Sequence, residues 1–366
     1  MLRRLMMSLI VAGAASPALA CTAVDLVAAD KTVIAGRTME WSFDMRWTLT
    51  SLPKGTKLAL AAPRALGLPV VMVETLYPVV GVTTALFPGY AFIDGQNAEG
   101  LAMSANFLPG FTAYQTVEPT DKSYVDVTTF GAWALGRFAD VAALRAALGT
   151  TKVWADPAAT TGPAAALLHF VFTDRSGASI IVEYVKGEVQ IHDNVAHVLT
   201  NAPPYPWHLD NVRNYLSLST VGVESRQIGS ANVTAIGQGG GLIGMPGDYT
   251  PPSRFVRATF LRHGVTPPKT GDEAAEAVAH ILNTVDIPIG VAQSKGEDGA
   301  LVSDYTQWVA IKDLTRNRLT IADYAHRMRY LTIDLDPIFA LTKPASKPVA
   351  DLPYPAAVGG ADVLAP

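Results

Sequence analysis

Cysteine is almost absent from this chain of 366 residues: there is one, Cys21. A single thiol excludes an intrachain disulfide, so the fold must be held by burial alone. Charge is scarce too, with 16% Asp, Glu, Lys and Arg and a net charge of −4. No Lys/Arg block occurs, which removes the basic patch a nucleic-acid partner requires. Beyond the first twenty residues, no apolar run reaches the roughly 20 residues that span a bilayer. None of the histidines (His169, His192, His197, His208, His263, His280 and His326) forms an H-E-x-x-H or similar pair, so each reads as structural and no metal is expected. There is no G-x-S-x-G elbow for serine chemistry. The glycine-rich stretch Gly237 to Gly247 (GQGGGLIGMPG) lacks the G-K-[ST] ending of a phosphate loop. It reads as a flexible loop bordering a site, and no cofactor is expected.

What is present begins at the N-terminus. Arg3 and Arg4 precede an apolar stretch from Leu5 to Ala15, and Ala18-Leu19-Ala20 makes an A-x-A cleavage site. Residues 1–20 therefore read as a secretory signal peptide, and the mature protein is expected to be periplasmic or secreted. Cleavage after Ala20 would free the α-amine of Cys21. A thiol and an amine on one residue supply a nucleophile and its general base. An unperturbed α-amine has a pKa of about 7.7–8.0, and a nearby arginine would lower both it and the thiol. Two other readings of Cys21 stay open. One is lipidation, against which stand Ala18 three places before the cysteine and Leu19 one place later. The other is a leftover thiol without a role.

A composition of 49% hydrophobic residues suffices for a sizeable core. Cys21 to Asp30 reads as a strand and turn, with Thr32 to Thr38 as its hairpin partner. Val70 to Leu76, Tyr90 to Asp94 and Leu101 to Phe107 follow as strands, the last after the turn Asn97-Ala98-Glu99-Gly100. Val127 to Leu148 has helical spacing and stops at Gly149, which predicts one or two helices. Leu167 to Thr173, Ser179 to Val185 and Val189 to His192 read as hairpin strands. Phe255 to Arg262 and Gly271 to Val285 are predicted helices, and Gln307 to Asp313 and Arg318 to Asp323 closing strands. These blocks give an α+β class, with two sheets face to face between helix layers as the natural arrangement. No internal repeat is visible. Ser346 to Pro366 reads as a Pro/Ala-rich tail, either loose or lying on a neighbour.

Several polar clusters stand in a familiar order: Cys21-Thr22; Gly36-Arg37-Thr38-Met39-Glu40-Trp41; Asn97-Ala98-Glu99-Gly100-Leu101 with Asn106-Phe107; Leu199-Thr200-Asn201-Ala202-Pro203 with Trp207-His208-Leu209 and Asn214-Tyr215; Pro246-Gly247-Asp248-Tyr249 with Ser253-Arg254-Phe255; and Tyr305-Thr306-Gln307-Trp308. In order and approximate spacing the chain resembles the choloylglycine hydrolases, N-terminal nucleophile hydrolases that include bile salt hydrolases and penicillin V acylases. The likeness runs from Cys21 to about Leu335. It implies a four-layer αββα sandwich and a single amidase domain over residues 21–345.

The resemblance also implies roles. Cys21 matches the nucleophile, with its own amine as base, and Arg37 the arginine beside the thiol. Asn201 matches the side-chain oxyanion donor, the backbone N–H at Asn106 the second donor, and Arg254 the second arginine of the site. Glu40 departs from the pattern, since many members carry aspartate there, in contact with the α-amine; Gram-negative members include a Met-Glu variant. Trp41, Phe107 and Phe111 are candidates for an aromatic acyl pocket or for packing. The implied reaction is hydrolysis of a linear carboxamide through a thioester. A penicillin V acylase or N-acyl homoserine lactone acylase is expected first, because intestinal bile salt hydrolases usually lack a leader; a conjugated bile salt hydrolase is the alternative. An inactive lipoprotein or binding relative is the reading from another class. The expected partner is a small-molecule amide, without nucleic acid or a membrane span; members are commonly homotetramers, and the likeness admits that assembly here.

Overall fold

The computed structural model describes residues 21–357 except positions 88, 163, 297 and 298. The expected leader and the last residues of the expected tail, 358–366, lie outside the described residues.

The chain opens on a hairpin of two buried strands, β1 (Cys21–Val27) and β2 (Val33–Trp41). They pair antiparallel with Cys21 opposite Met39 and Ala23 opposite Arg37. Both are apolar on alternate positions and small or polar between, which suits strands covered on both faces. The pair sits inside a seven-stranded sheet. Val198–Leu199 flanks β1, while Leu301–Asp313, Arg318–Asp323 and Leu331–Asp334 continue from β2; Ala292–Lys295 also pairs with the long strand.

A second sheet of eight strands runs in the order Glu188–Asp193, Ser179–Val185, Leu168–Thr173, Ala102–Phe107, Phe92–Asn97, Val79–Thr84, Trp47–Leu52 and Ala345–Pro348. Every pairing in the two sheets is antiparallel. Helices α1 (Val127–Arg137) and α2 (Val141–Leu148) come later in the chain, after the short strand Tyr124–Asp126, and α1 packs on the second sheet, chiefly against Phe92–Asn97. Their N-caps are Asp126 and Asp140, whose carboxylates accept from the N–H groups of Thr128 and Ala143. After α3 (Tyr205–Val212), helices α4 (Pro251–Gly264) and α5 (Gly271–Asn283) cover the outer face of the first sheet. The result is helix, sheet, sheet, helix, as the resemblance implied.

One core lies between and beneath the sheets, joining Met39, Trp41 and Trp308 to Phe107, Phe130 and Phe170. Another joins α4 and α5 to β1 and β2 through Val24, Ile34, Phe255, Val278 and Leu282. The side-chain period of two assigns the faces of β2. Ile34, Gly36 and Thr38 look toward the helices, and Arg37, Met39 and Trp41 look between the sheets. Gly36 is obligatory for helix contact: a Cβ there would lie 2.6 Å from Val278 Cγ1 and 3.0 Å from Leu282 Cδ1.

Three differences from the sequence reading have plain causes. Helix α4 begins at Pro251 rather than Phe255, because two prolines suit the first turn, where no N–H is needed. The segment expected as a tail is not loose throughout. Ala345–Pro348 adds an edge strand to the second sheet through Trp47–Leu52, and Val349 and Leu352 are buried just after it. Four residues of backbone pairing and two apolar anchors outweigh the Pro-rich composition. An exposed hairpin, Ser225–Ile228 with Ala231–Thr234, was not expected although Gly229-Ser230 joins it, because its two strands are exposed throughout and carry no apolar alternation.

Candidate active site

Cys21 is buried at the start of β1, and strand alternation sends its side chain between the sheets with that of its cross-strand neighbour Met39. The thiol lies 3.5 Å from Met39 Sδ, and Arg37 Nη2 donates to the same sulfur at 3.0 Å. Arg37 is wholly buried. Three of its four remaining hydrogens go to neutral carbonyls: Nη1 to Ile93 O at 3.0 Å and Ala105 O at 2.9 Å, Nε to Thr38 O at 3.2 Å. Those two carbonyls are available because the ladder between their strands stops at Asp94 opposite Ser104. Among the described residues no carboxylate comes within ion-pairing distance of Arg37, whose guanidinium also lies 5.1 Å from the Trp308 ring centre. A buried cation held only by neutral acceptors keeps its charge for an anion that forms beside it, and a thiolate is such an anion.

On the opposite face of β1, Thr22 meets the first turn of α4. Arg254, also fully buried, donates through Nη1 to Cys21 O at 2.6 Å and Thr22 Oγ1 at 2.7 Å, through Nη2 to Asn201 Oδ1 at 2.7 Å, and through Nε to Tyr249 O at 2.9 Å. The glycine-rich stretch Gly237 to Gly247 ends two residues before this last contact, and most of its own residues are exposed. The Cys21 nitrogen donates to the same Asn201 Oδ1 at 2.6 Å. With its oxygen doubly engaged, the Asn201 carboxamide must turn Nδ2 the other way, where one hydrogen goes to Phe107 O at 3.0 Å. Its second hydrogen is left over as a donor, since an amide nitrogen carries two.

Asn106 sits opposite His169 across the strands, and its side chain donates to Leu199 O at 3.2 Å and Thr200 O at 2.8 Å. The expectation for Asn106 concerned its backbone N–H; the visible part is this side-chain clamp on the segment carrying Asn201. Glu40 is buried with one oxygen accepting from Thr306 Oγ1 at 2.6 Å and the other, Oε2, unpartnered. It was expected at the nucleophile's nitrogen, but in the uncut chain that nitrogen is an amide and bonds Asn201. The Thr306 contact follows from a bulge: Thr306 faces Glu40 and Trp308 faces Met39, so Gln307 is the extra residue.

Burial dominates the local acidities. It pushes the Cys21 thiol up, against Arg37, whose charge lowers it; Glu40 adds to the rise, and the Glu40 N–H and Arg254 oppose it. Burial pushes Glu40 up to about 7 despite Arg254, and Asp304, a buried carboxylate on the neighbouring strand, also to about 7. Arg254 falls to about 10 by burial. His208, stacked on Phe255, falls to about 4 by burial and is therefore neutral near pH 7, with Nε2 donating to Asn201 O at 2.8 Å.

Trp41 packs edge-on against Phe107 at 5.5 Å and Phe43 at 6.1 Å, all beside the thiol's strand. Phe111 does not join them: it is 41% exposed on the turn after Phe107 and makes no ring contact with either. Met39, Thr306 and His208 are the parts that residue-level reading missed. Each lies inside a quoted cluster, but an apolar or singly occurring polar residue carries no chemical signal until its neighbours are placed. Among the described residues, no group of three or more His, Cys, Asp or Glu could hold a metal, and no helix is long and apolar enough to cross a membrane.

The family described as linear amide C–N hydrolases, choloylglycine hydrolase family, matches residues 21–332. The chain belongs to this family. The match begins at Cys21. A bile salt hydrolase/transferase of Clostridium perfringens is 31% identical over 293 residues, 79% of this chain and 85% of that protein. A penicillin V acylase of Pectobacterium atrosepticum is 28% identical over 250 residues, 66% of this chain and 59% of that one. Among solved structures, a variant of the conjugated bile acid hydrolase from Clostridium perfringens superposes with TM-score 0.77 at 27% identity, covering 90% of this chain and 97% of that one. The chain is accordingly a linear amide hydrolase with the N-terminal nucleophile fold.

Proposed function

We propose that this amide hydrolase works as an N-terminal cysteine amidase once residues 1–20 are removed as a secretory leader. The supporting observation is the buried cluster in which the Cys21 nitrogen and thiol, the Asn201 carboxamide and two guanidinium groups without carboxylate partners among the described residues meet. Cleavage turns the Cys21 nitrogen into an amine, which takes the thiol proton. The thiolate attacks the amide carbon, and the spare N–H of Asn201 donates to the oxygen that becomes negative, a contact of a kind worth about 2.7–4 kcal/mol. The C–N bond breaks as the amine leaves with the proton, and water then splits the thioester to the free acid. Arg37 holds the thiolate, and Arg254 fixes which end of Asn201 faces the nucleophile. Phe107 and Trp41 form an apolar wall for a bulky acyl group.

Within this reading we place penicillin V or an N-acyl homoserine lactone first. The expected leader and the Met39-Glu40 pair, both tied by resemblance to Gram-negative members, support it. A conjugated bile salt is the second reading, supported by the name of the Clostridium perfringens relative. The test is amine release by the cleaved protein from phenoxymethylpenicillin, glycocholate and a long-chain acyl homoserine lactone, with Cys21→Ser as control. Activity on one substrate, lost in the control, is expected. Silence on all three from protein with a free Cys21 terminus overturns the reading, and a lipid adduct on Cys21 replaces it with the lipoprotein alternative.

A further inference from the structure

Against the segment that carries Asn201 lies a buried polar pair with no hydrogen bond to Cys21, Arg37, Asn201 or Arg254. His169, on Leu168–Thr173, and Glu183, on Ser179–Val185, are both fully buried between the second sheet and the Thr200–Tyr205 segment. His169 Nδ1 lies 2.9 Å from Glu183 Oε1, and His169 Nε2 lies 3.1 Å from Thr200 O. A carbonyl only accepts, so Nε2 must carry a hydrogen. Glu183 Oε1 also accepts from Tyr205 N–H at 2.9 Å, at the start of α3. One further proton lies between Nδ1 and the carboxyl; on either atom, the imidazole stays fixed with Nε2–H aimed at Thr200 O. The Asn106 side chain, cross-strand to His169, donates to that same carbonyl at 2.8 Å.

Burying a histidine and a carboxylate together is costly unless their hydrogen bonds are completed. Here the pair's bonds end on both sides of Asn201, at Thr200 immediately before it and at Tyr205 four residues after, while Glu183 Oε2 makes no hydrogen bond and faces His192 Nε2 at 3.7 Å. We propose that His169 and Glu183 are positioning residues for the Asn201 carboxamide, holding its backbone so that the spare N–H stays aimed at the oxyanion. This rests on the reading of Asn201 given above. Because an oxyanion forms only in the transition state, loosening its donor should lower kcat and leave KM nearly unchanged.

The experiment compares His169→Leu, His169→Gln and Glu183→Gln, alone and combined with Asn201→Ala, with kcat expressed per titratable thiol. Cys21 is the only cysteine, so thiol titration counts chains with an intact nucleophile, and circular dichroism gives the folded fraction among them. His169→Leu is expected to lose at least tenfold in kcat with KM within threefold. His169→Gln, whose amide can still donate to Thr200 O, should recover most of that loss. Glu183→Gln, which keeps an acceptor for Tyr205 N–H, should fall between. In the Asn201→Ala background, His169→Leu should cost less than threefold, because the group it positions is gone. An unchanged kcat per thiol, or losses that simply multiply with that of Asn201→Ala, overturns the proposal. If the wild-type protein cleaves no amide, the function reading has failed, and the positioning claim is decided by the crystal structure of His169→Gln and His169→Leu. Displacement of the Asn201 carboxamide in the Leu variant, restored in the Gln variant, supports it. An Asn201 unmoved in both, still 2.6 Å from Cys21 N and 3.0 Å from Phe107 O in the uncut chain, overturns it.

Discussion

Arg37 differs from an ordinary buried arginine in what it lacks: its hydrogen bonds end on carbonyls and a thioether, and no carboxylate neutralises it. Removing it should therefore raise the thiol more than it disturbs the fold. In the cleaved protein, Arg37→Met is expected to shift the pH midpoint of Cys21 alkylation upward by about one to three units, the usual effect of an opposite charge at such range. A midpoint that stays put would place the guanidinium's role elsewhere. His208 gives a prediction of a different kind. Its ordinary value of 6.5 falls to about 4 on folding, so between those values the unfolded chain binds more protons. Stability is then lost as pH falls from 6.5 toward 4, by on the order of 3 kcal/mol in full. Glu40 and Asp304, both raised by burial, act with the opposite sign over much of that window. They are common to wild type and His208→Gln, so the difference between the two isolates His208. The urea midpoint of wild type relative to that of the variant should fall from pH 6.5 to 4.5; a difference that stays constant would contradict this.

Elements are where the sequence was most readable, for physical reasons that differ from one to the next. The hairpin of β1 and β2 was legible because turn residues separate two apolar runs, and Ser179–Val185 and Arg318–Asp323 were bounded by equally clear turns. The turn at Asn97 is built as its residues suggest: Asn97 Oδ1 accepts from Glu99 N and Leu101 N, and Gly100 takes φ +83. The start of α4 was hidden by two prolines that usually signal a break, although this places Arg254 in the first turn and so against Thr22. Trp47–Leu52 and Val79–Thr84 were not recognised, since short strands in the middle of a sheet need neither alternation nor flanking glycines. Gly36 belongs to this scale as well, because it sets how closely α5 approaches β2. Gly36→Val would push branched methyls into Val278 and Leu282, and overpacking of that kind costs about 1–3 kcal/mol. A lowered melting temperature, with Arg37 and Met39 displaced and alkylation slowed, is expected; an unchanged melting temperature would mean that the helix yields freely.

On the scale of the whole molecule, two stacked sheets place five segments distant in sequence around one thiol: the start of β1, the middle of β2, the end of Ala102–Phe107, the Thr200–Asn201 turn and the first turn of α4. The candidate cluster was legible as residue types because Cys21, Arg37, Asn201 and Arg254 are chemically distinctive and match a known order. Its mutual geometry was not, because hydrogen bonds across the sheets depend on register and on one bulge at Gln307. The C-terminal segment closes the second sheet rather than hanging free. Ending the chain at Leu341 would uncover the edge at Trp47–Leu52 and remove buried Val349 and Leu352. At about 1.5–3 kcal/mol for each buried aliphatic side chain, that truncation should lower stability by several kcal/mol in chemical denaturation; a loss below about 1 kcal/mol would show the strand to be dispensable.

In the proposed reaction one atom, the Cys21 sulfur at a freed N-terminus, carries the acyl group. The most direct measurement is acid-quenched mass spectrometry of the cleaved protein mixed with the substrate it turns over. A transient adduct of the acyl mass is expected on the N-terminal peptide beginning at Cys21, absent in Cys21→Ser and short-lived at neutral pH. Turnover with no adduct there, or with the acyl group on another residue or with residues 1–20 still attached, would contradict it.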